Sequence, residues 1–593
     1  MNFKINLSIA ILMFFINFFL NAQKYNSFGL VNKPLRDYKE GAISIGGSDN
    51  QTRYPDDELD DNNEKFVRAN KVYERLVEAR GDKRFLQPEF FIASSEQNGS
   101  FLTDDGLRIG LEEKTYDLCM ELGEEEGENA IAAILGHELT HYYEKHQWRM
   151  RFMNEFAELV VAQRFMEGDV LHRIESEAQA DYLGNFLAYS AGFQIFEGLP
   201  DFYDRLYQAY ELEDTLEGYP NKADRKKLAI LTLDKTKELV DVFEVGNLLI
   251  AIGRYDDALN FYKHILIQYQ GREVYNNLGI LTILSALKYF TSKELKYKIP
   301  IQLDYRIGFN AFNKINLEAY STDDYLDSAT ISGNSEKRIA LLKEAIVYFD
   351  NAISMDTEYA PSYLNKACAY YLVGGKENIS RAKLYAEIET KEKVLNNSKF
   401  KKTLSDAIIL LALLTEIEGN TDKAINMLES LNKTSALANY NLAVMNRKVS
   451  SRTVRFPEKV NLRIEGIKQN DIFKFATVRQ YKEQRLYGQI KLRVFKNVEG
   501  LKYSTIFYYR PQSGLNMPEV FFHITNTNYS SPPEDIFKVG VSREAITKKI
   551  GEPHSSLELT NGEIMVYNQT IFIMDKNQQL KQYGNYLVNT AKL

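Results

Sequence analysis

Two histidines four residues apart, His137 and His141, bracket a glutamate in the string GHELTH, which runs from Gly136 to His141. On a helix, residues i and i+4 share a face, so both imidazoles can reach one ion. Glu138 then stands beside that ion. Its carboxylate can take a proton from a water whose pKa zinc brings down towards about 7. The chemistry suggested is attack of water on a carbonyl, as in peptide hydrolysis. HExxH alone is a short pattern that also arises by chance, and a helix carrying two unrelated histidines is the plain alternative.

A catalytic zinc takes three protein ligands and keeps one position for water. A second string, Glu177-Ala178-Gln179-Ala180-Asp181-Tyr182-Leu183-Gly184, offers the third. Glu177 is the candidate ligand. Asp181, one turn on and on the same face, can accept a hydrogen bond from a ligand histidine and fix its tautomer. Glu175 is a rival third ligand, but it lies off the Asp181 face. His172 can act as a proton donor to a developing oxyanion or be an ordinary surface histidine. His146, just past the first string, is either a pocket residue or a structural residue at the helix end.

Together the two strings resemble zinc metallopeptidases of the HtpX/CAAX-prenyl-protease type, gluzincins of peptidase family M, number forty-eight. In that family HExxH is followed by an ExxAD helix that carries the glutamate ligand. The resemblance spans roughly residues 66–185 and takes in the NKVYERLV helix at Asn70–Val77 and the strands between Phe90 and Leu111. It implies an α+β zincin-like domain with one Zn²⁺ per chain. The implied ligands are His137, His141 and Glu177, with Glu138 as general base and His146 where soluble members often have a second-turn histidine. It also implies an extended peptide bound along an edge strand, placed here at Leu107–Leu111. Two departures stand out. The family's Pro-Gly-Gly turn is replaced by Phe101-Leu102-Thr103-Asp104-Asp105-Gly106, and Gln179 replaces a second acid often found inside ExxAD.

The elements that must position these residues follow from periodicity. Helices are expected at Phe66–Ala79 and Asn129–His146, with Asn129 as N-cap. Strands are expected at Phe90–Ala93 and Leu107–Leu111, separated by a polar turn-rich stretch from Glu96 to Gly106. The acidic stretches Asp56–Glu64 and Glu121–Glu128 read as solvated loops. Trp148–Met166 reads as a core helix, with a membrane-facing or substrate-gripping helix as the alternative.

The rest of the chain changes character twice. GRYDDALNFYKHI from Gly253 and GNTDKAINMLESL from Gly419 share a Gly-led turn, an Asp, and a small Ala (Ala258, Ala424) where two helices of a hairpin would touch. These phrases resemble tetratricopeptide repeats, which stack into a superhelix. Beyond them, alternating strands at Gly488–Phe495 and Tyr503–Tyr509 precede a helix with Ser542 as N-cap, ended at Gly551. Asn561-Gly562 marks a hairpin before Ile564–Tyr567. This last stretch is similar to the small α+β domain of outer-membrane assembly lipoproteins of the SmpA/OmlA type.

Composition sets the outer limits. A chain of 593 residues exceeds one core. Its formal net charge of -8, without a basic tract, argues against a nucleic-acid partner. Met1–Lys4 is basic, Ile5–Leu20 is mostly apolar, and Asn21-Ala22-Gln23 offers a small residue for cleavage, so residues 1–22 read as a signal peptide. An uncleaved anchor is the alternative, but the run is short for a span. Cys119 and Cys368 fall in different expected domains and make no disulfide framework.

The fold class expected is therefore multidomain: a zincin-like metallopeptidase domain (23–235), a tetratricopeptide-type helical superhelix (236–450) and a small C-terminal α+β module (451–593). The expected function is an exported, periplasmic zinc endopeptidase acting on unfolded or misassembled proteins. Its expected partners are a protein or peptide substrate and a protein on the repeats, with room for peripheral membrane contact. The rival is a non-proteolytic repeat scaffold whose zinc domain is structural or latent.

Overall fold

The computed structural model describes residues 58–95, 99–103, 107–145, 169–214, 222–291, 294–301, 328–432, 434–447, 460, 462–498, 500–510, 519–530, 537–559 and 562–589. The expected signal peptide, His146 and the Trp148–Met166 helix lie outside these residues, and the side chains of His172 and Glu175 are likewise not described. The chain forms two compact units. The first takes the described residues up to 236, except 79–85 and 190–192, which go with the second. Among the described residues no helix is long and apolar enough to cross a membrane.

In the first unit, α1 (Glu64–Arg80) buries Ala69, Val72, Tyr73 and Leu76, the three-and-four spacing of an amphipathic helix. Tyr73 stacks on Phe90 of β1 (Glu89–Ala93), with ring centroids 5.1 Å apart. Two further strands, β2 (Ser100–Leu102) and β3 (Arg108–Glu112), complete a sheet of order β1-β3-β2. β3 runs parallel to β1 and antiparallel to β2. This corrects the sequence reading twice. The stretch Glu96–Gly106 contains a strand as well as turns, and the Leu107–Leu111 segment is the central strand. The outer strands are β1 and β2.

The helices follow: α2 (Glu113–Met120), α3 (Glu124–Tyr143), α4 (Asp169–Ser190), α5 (Leu199–Ala209) and α6 (Lys222–Ala251). α3 begins earlier than expected. Gly123, at φ 100°, turns the chain, and Glu124, Glu125 and Glu126 fill the first helical turn. Carboxylates there face the positive end of the helix dipole, which is why an acidic run that reads as a loop is helical. Asn129 is consequently no N-cap; it sits inside α3, and its Oδ1 accepts the backbone N–H of Gln194 at 2.9 Å.

The contact that aligns α3 with α4 is backbone on backbone. A Cβ on Gly136 would lie 2.6 Å from the Gly184 carbonyl oxygen, and one on Gly184 would lie 2.6 Å from both the Gly136 carbonyl carbon and the His137 nitrogen. Only two glycines allow this approach.

The second unit carries sequential helices: α7 (Tyr255–Gln268), α8 (Arg272–Leu287), α9 (Ser328–Met355), α10 (Ala360–Val373), α11 (Lys376–Leu384), α12 (Thr390–Asn396), α13 (Lys401–Ile417), α14 (Thr421–Glu429) and α15 (Ala436–Met445). A π-helical turn, Tyr385–Glu389, joins α11 to α12. Gly253 (φ 77°) and Gly419 (φ 85°) supply the left-handed turns before α7 and α14, and Ala258 and Ala424 are fully buried. After a two-stranded ribbon, β4 (Arg463–Ile464) and β5 (Ile467–Lys468), comes an eight-stranded antiparallel sheet. Its strands are β6 (Lys482–Arg485), β7 (Lys491–Val498), β8 (Leu501–Arg510), β9 (Glu519–Thr525), β10 (Ser555–Leu559), β11 (Gly562–Tyr567), β12 (Thr570–Asp575) and β13 (Leu580–Asn589), in the order β10-β11-β12-β13-β9-β8-β7-β6. Helix α16 (Arg543–Ile550) is capped by the Ser542 side chain, which accepts from the Ala545 N–H at 3.2 Å, and is ended by Gly551 at φ 88°. Cys119 and Cys368 are both buried thiols with no disulfide.

A methyl group at Gly184 must push α3 and α4 apart. Gly184→Ala is expected to cost about 1–3 kcal/mol of stability, read as a lower melting temperature, and to weaken divalent-metal binding in equilibrium dialysis. Unchanged metal affinity would show that the crossing does not position the donors.

Candidate metal centre

α3 presents His137 and His141, and α4 presents Glu177 and Asp181, on the sides where the two helices meet. Nε2 of His137 and Nε2 of His141 are 2.9 Å apart. Glu177 places Oε2 3.5 Å from the first and Oε1 3.5 Å from the second. Donors on a tetrahedral zinc, about 2.0–2.1 Å from the metal, are about 3.3 Å from one another. The three separations, two of them to different oxygens of Glu177, lie on either side of that value. His137, His141 and Glu177 can therefore hold one metal ion, and among the described residues they are the group of metal-type side chains that converges in this way.

Three further observations fit a divalent cation. His137 turns its other nitrogen, Nδ1, to Asp181 Oδ1 at 2.8 Å. A carboxylate there draws the proton to Nδ1 and leaves the Nε2 lone pair facing the other donors. Secondly, the donor set is two imidazoles and a carboxylate, a zinc-type combination. Thirdly, carboxyl groups outnumber fixed cations here: Glu138, Glu177 and Asp181 stand beside one guanidinium, that of Arg225, and an acid-rich surround suits a dication.

Arg225, Tyr203 and Ser100 are site residues that sequence reasoning missed. Arg225, one turn into α6 and buried, reaches Glu177 Oε2 at 2.9 Å with Nη1. Its Nη2 lies 3.2 Å from Asp181 Oδ1 and donates to the Tyr203 hydroxyl at 2.7 Å. The Tyr203 hydroxyl in turn lies 3.4 Å from Asp181 Oδ1. Lys226, the next residue, ties α6 to α5 through Asp204 at 2.6 Å and Asp201 at 2.9 Å. Ser100, on the edge strand β2, donates its hydroxyl to Glu138 Oε1 at 2.8 Å.

The electrostatics follow from burial and these partners. Burial works to protonate Asp181, but the Arg225 guanidinium and the His137 hydrogen bond hold its carboxyl below the usual range. Burial works to deprotonate His137, but the Asp181 carboxylate overrides it and holds the imidazole above its ordinary value. Glu138 moves the other way to Asp181. Burial pushes its carboxyl up, against the pull of His137 and the Ser100 hydroxyl. Arg225 is held far up, its burial outweighed by Asp181 and its other neighbours.

The structure thus brings together His137, Glu138, His141, Glu177 and Asp181. His146 lies outside the described residues, and nothing is said of the side chains of His172 and Glu175, though both residues fall on α4.

Asp181→Asn keeps the shape but removes the charge that orients His137. Zinc affinity is expected to fall about 10–100-fold, measured by competition with a chromophoric chelator. An unchanged dissociation constant would show that His137 needs no such partner.

Comparison with known families and proteins agrees with the geometry on one point and finds nothing on another. No curated protein matches the chain. Residues 70–196, which include His137, Glu138, His141, Glu177 and Asp181, match the model of Peptidase family M48, so the chain carries a metallopeptidase domain of that family.

Proposed function

We propose that the chain is an exported zinc metalloendopeptidase that cleaves unfolded or misassembled envelope proteins. The observation that carries the reading is the convergence of His137, His141 and Glu177 on one point with Glu138 alongside. When bound there, zinc supplies Lewis acidity towards a peptide carbonyl and makes water acidic.

The chain's own residues do the following. His137 and His141 offer ring nitrogens, the first kept in register by Asp181. Glu177 offers a carboxylate whose position Arg225 holds. Glu138 is next to the metal donors but bonded to Ser100. That bond fixes one carboxylate oxygen and leaves the other to accept the proton of the attacking water and return it to the leaving amine. The raised affinity of this buried carboxyl for a proton suits a group that must take one up and give it back.

An extended peptide would lie along β2, an outer strand of the three-stranded sheet among the described residues, and its main-chain hydrogen bonds would tolerate many sequences. The helices of the second unit would act as a tetratricopeptide-type scaffold that holds a client or partner protein, and the C-terminal sheet region as a further binding module. The basic, apolar and small-residue succession at the N-terminus supports export to the periplasm, where peripheral membrane contact is part of the reading.

The test is degradation of an unfolded protein by the purified chain beside Glu138→Gln, with zinc measured on both. The expected result is about one zinc in each and at least a hundredfold loss of turnover in the variant. Zinc in both and turnover in neither would favour a non-proteolytic scaffold with a structural metal; no zinc in either would sink the metal reading. Ser100→Ala is expected to keep its zinc and lose about tenfold in kcat with little change in KM. A KM effect alone would show that Ser100 serves substrate binding and not Glu138.

A further inference from the structure

Glu112 is a fully buried carboxyl group that the proposed chemistry does not use. It ends β3, one residue beyond the pairing of Leu111 with Ser100 on β2. Its backbone N–H donates to the Gly99 carbonyl at 2.8 Å and so extends the β2–β3 ladder by one bond. Its side chain adds two more. Oε2 accepts the Gly99 N–H at 3.0 Å, and Oε1 accepts the Ser95 hydroxyl at 3.0 Å. Taking a carboxylate out of water is costly, and hydrogen bonds donated to it offset that cost. Here those bonds tie down the chain just before β2.

What they hold adjoins the metal centre. Gly99 and Ser100 form part of the wall of a cavity against the metal donors, together with apolar residues of α5. β2 has three residues, so its placement depends on what is fixed at its ends. At the far end the Thr103 N–H donates to the Arg108 carbonyl at 2.8 Å, and the Thr103 hydroxyl accepts the Arg108 N–H at 3.0 Å. Between the ends the Phe101 ring lies over Gly110, where a Cβ would be 2.4 Å from it. Side chains alternate along a strand, so Ser100 turns to the opposite face from Phe101, towards Glu138 on α3. The residue before Ser100 is Gly99, at φ 71°. Glycine has wide backbone freedom, and a partner is needed to keep it in one conformation.

We infer that Glu112 is a positioning residue: by fixing Gly99 it sets the Ser100 hydroxyl against Glu138. The inference rests on the peptidase reading, in which Glu138 moves the proton. Reach matters in this role and charge does not. Glutamine has the same length. Its amide oxygen can accept the Gly99 N–H, and its amide nitrogen can donate to the Ser95 hydroxyl, which accepts as well as donates. Aspartate keeps the charge but is one carbon short.

The experiment measures zinc content, kcat and KM on dye-labelled casein for the full-length native chain, Glu112→Gln, Glu112→Asp, Ser100→Ala, and Glu112→Asp combined with Ser100→Ala. Every sample is expected to hold about one zinc, since the donors are untouched. Glu112→Asp is expected to lose about five- to tenfold in kcat with KM within about twofold, and Glu112→Gln to stay within about threefold of the native kcat. In the Ser100→Ala background Glu112→Asp is expected to cost less than about twofold more, because two changes on one path do not add. A native kcat in Glu112→Asp, or a loss in Glu112→Gln as large as in Glu112→Asp, would overturn the inference. So would a full further loss in the double variant, which would show that Glu112 does not act through Ser100. Should Glu112→Asp not fold, Glu112→Gln decides: a kcat near the native value upholds the role of reach, and a loss of about tenfold overturns it. All of these outcomes leave the peptidase reading standing. A native chain that holds zinc and cuts nothing would overturn both.

Discussion

The glycine-on-glycine crossing of α3 and α4 is the constraint from which the rest of the site follows. Packed helices usually keep their axes 8–10 Å apart because side chains stand between them. Here Gly136 and Gly184 remove those side chains, and the carbonyl of one helix touches the backbone of the other. The next residue on α3 is His137, and one turn before Gly184 on α4 is Asp181. Close backbones at that point let a histidine and a carboxylate of ordinary length meet at 2.8 Å. A further turn back along α4, Glu177 faces both imidazoles. The histidines at i and i+4 are a property of one helix, but their third partner depends on the crossing.

That geometry concentrates charge where water is scarce. Glu138 and Asp181 are nearly fully buried, and an isolated buried carboxylate is costly enough to take up a proton. The cluster treats its acids differently. Asp181 has a guanidinium and an imidazole N–H within bonding distance and stays anionic. Glu138 has one hydroxyl and no adjoining cation of fixed charge among its described hydrogen-bond partners, and its affinity for a proton rises. The same burial thus produces a fixed anion that orients a ligand and, one residue along α3 from that ligand, an acid–base group. Arg225 makes the division possible because its planar guanidinium reaches Glu177 and Asp181 together.

What could be read from the sequence was what is local to one helix. GHELTH and EAQADYLG each place their side chains through helical spacing alone, and Ser542 and Gly551 mark the ends of a helix by capping rules that act within a few residues. What escaped was set by tertiary placement. Arg225 sits in the run Lys222-Ala223-Asp224-Arg225-Lys226-Lys227, in which nothing local says which cation turns inward; only the position of the α4 carboxylates decides that. Tyr203 lies on an amphipathic helix, where an inward tyrosine reads as core. Ser100 belongs to a three-residue strand, too short to show alternation, inside a stretch dominated by polar residues. The order β1-β3-β2 likewise depends on a crossover that no pattern in Phe90–Leu111 records, so the edge fell to a different strand from the one expected.

α5 shows how an apolar wall and a charged centre can share one element without sharing residues. Its inward stripe alternates in function: Tyr203 closes the Arg225–Asp181 network, while Leu199, Phe202 and Leu206, at three- and four-residue offsets, line the apolar half of the cavity. Asp201 and Asp204, on the outer side, pin the helix to α6 through Lys226. Each pair is exposed and weak, but they act at the base of the same helix that delivers Arg225. A change of side chain at Leu206 alters cavity size and touches no charged partner. A shift of the whole of α5 moves Tyr203 and loads Arg225. Side-chain exchange on the apolar stripe therefore leaves the donors in place, and displacement of the helix is what would disturb the wall and the charged network together.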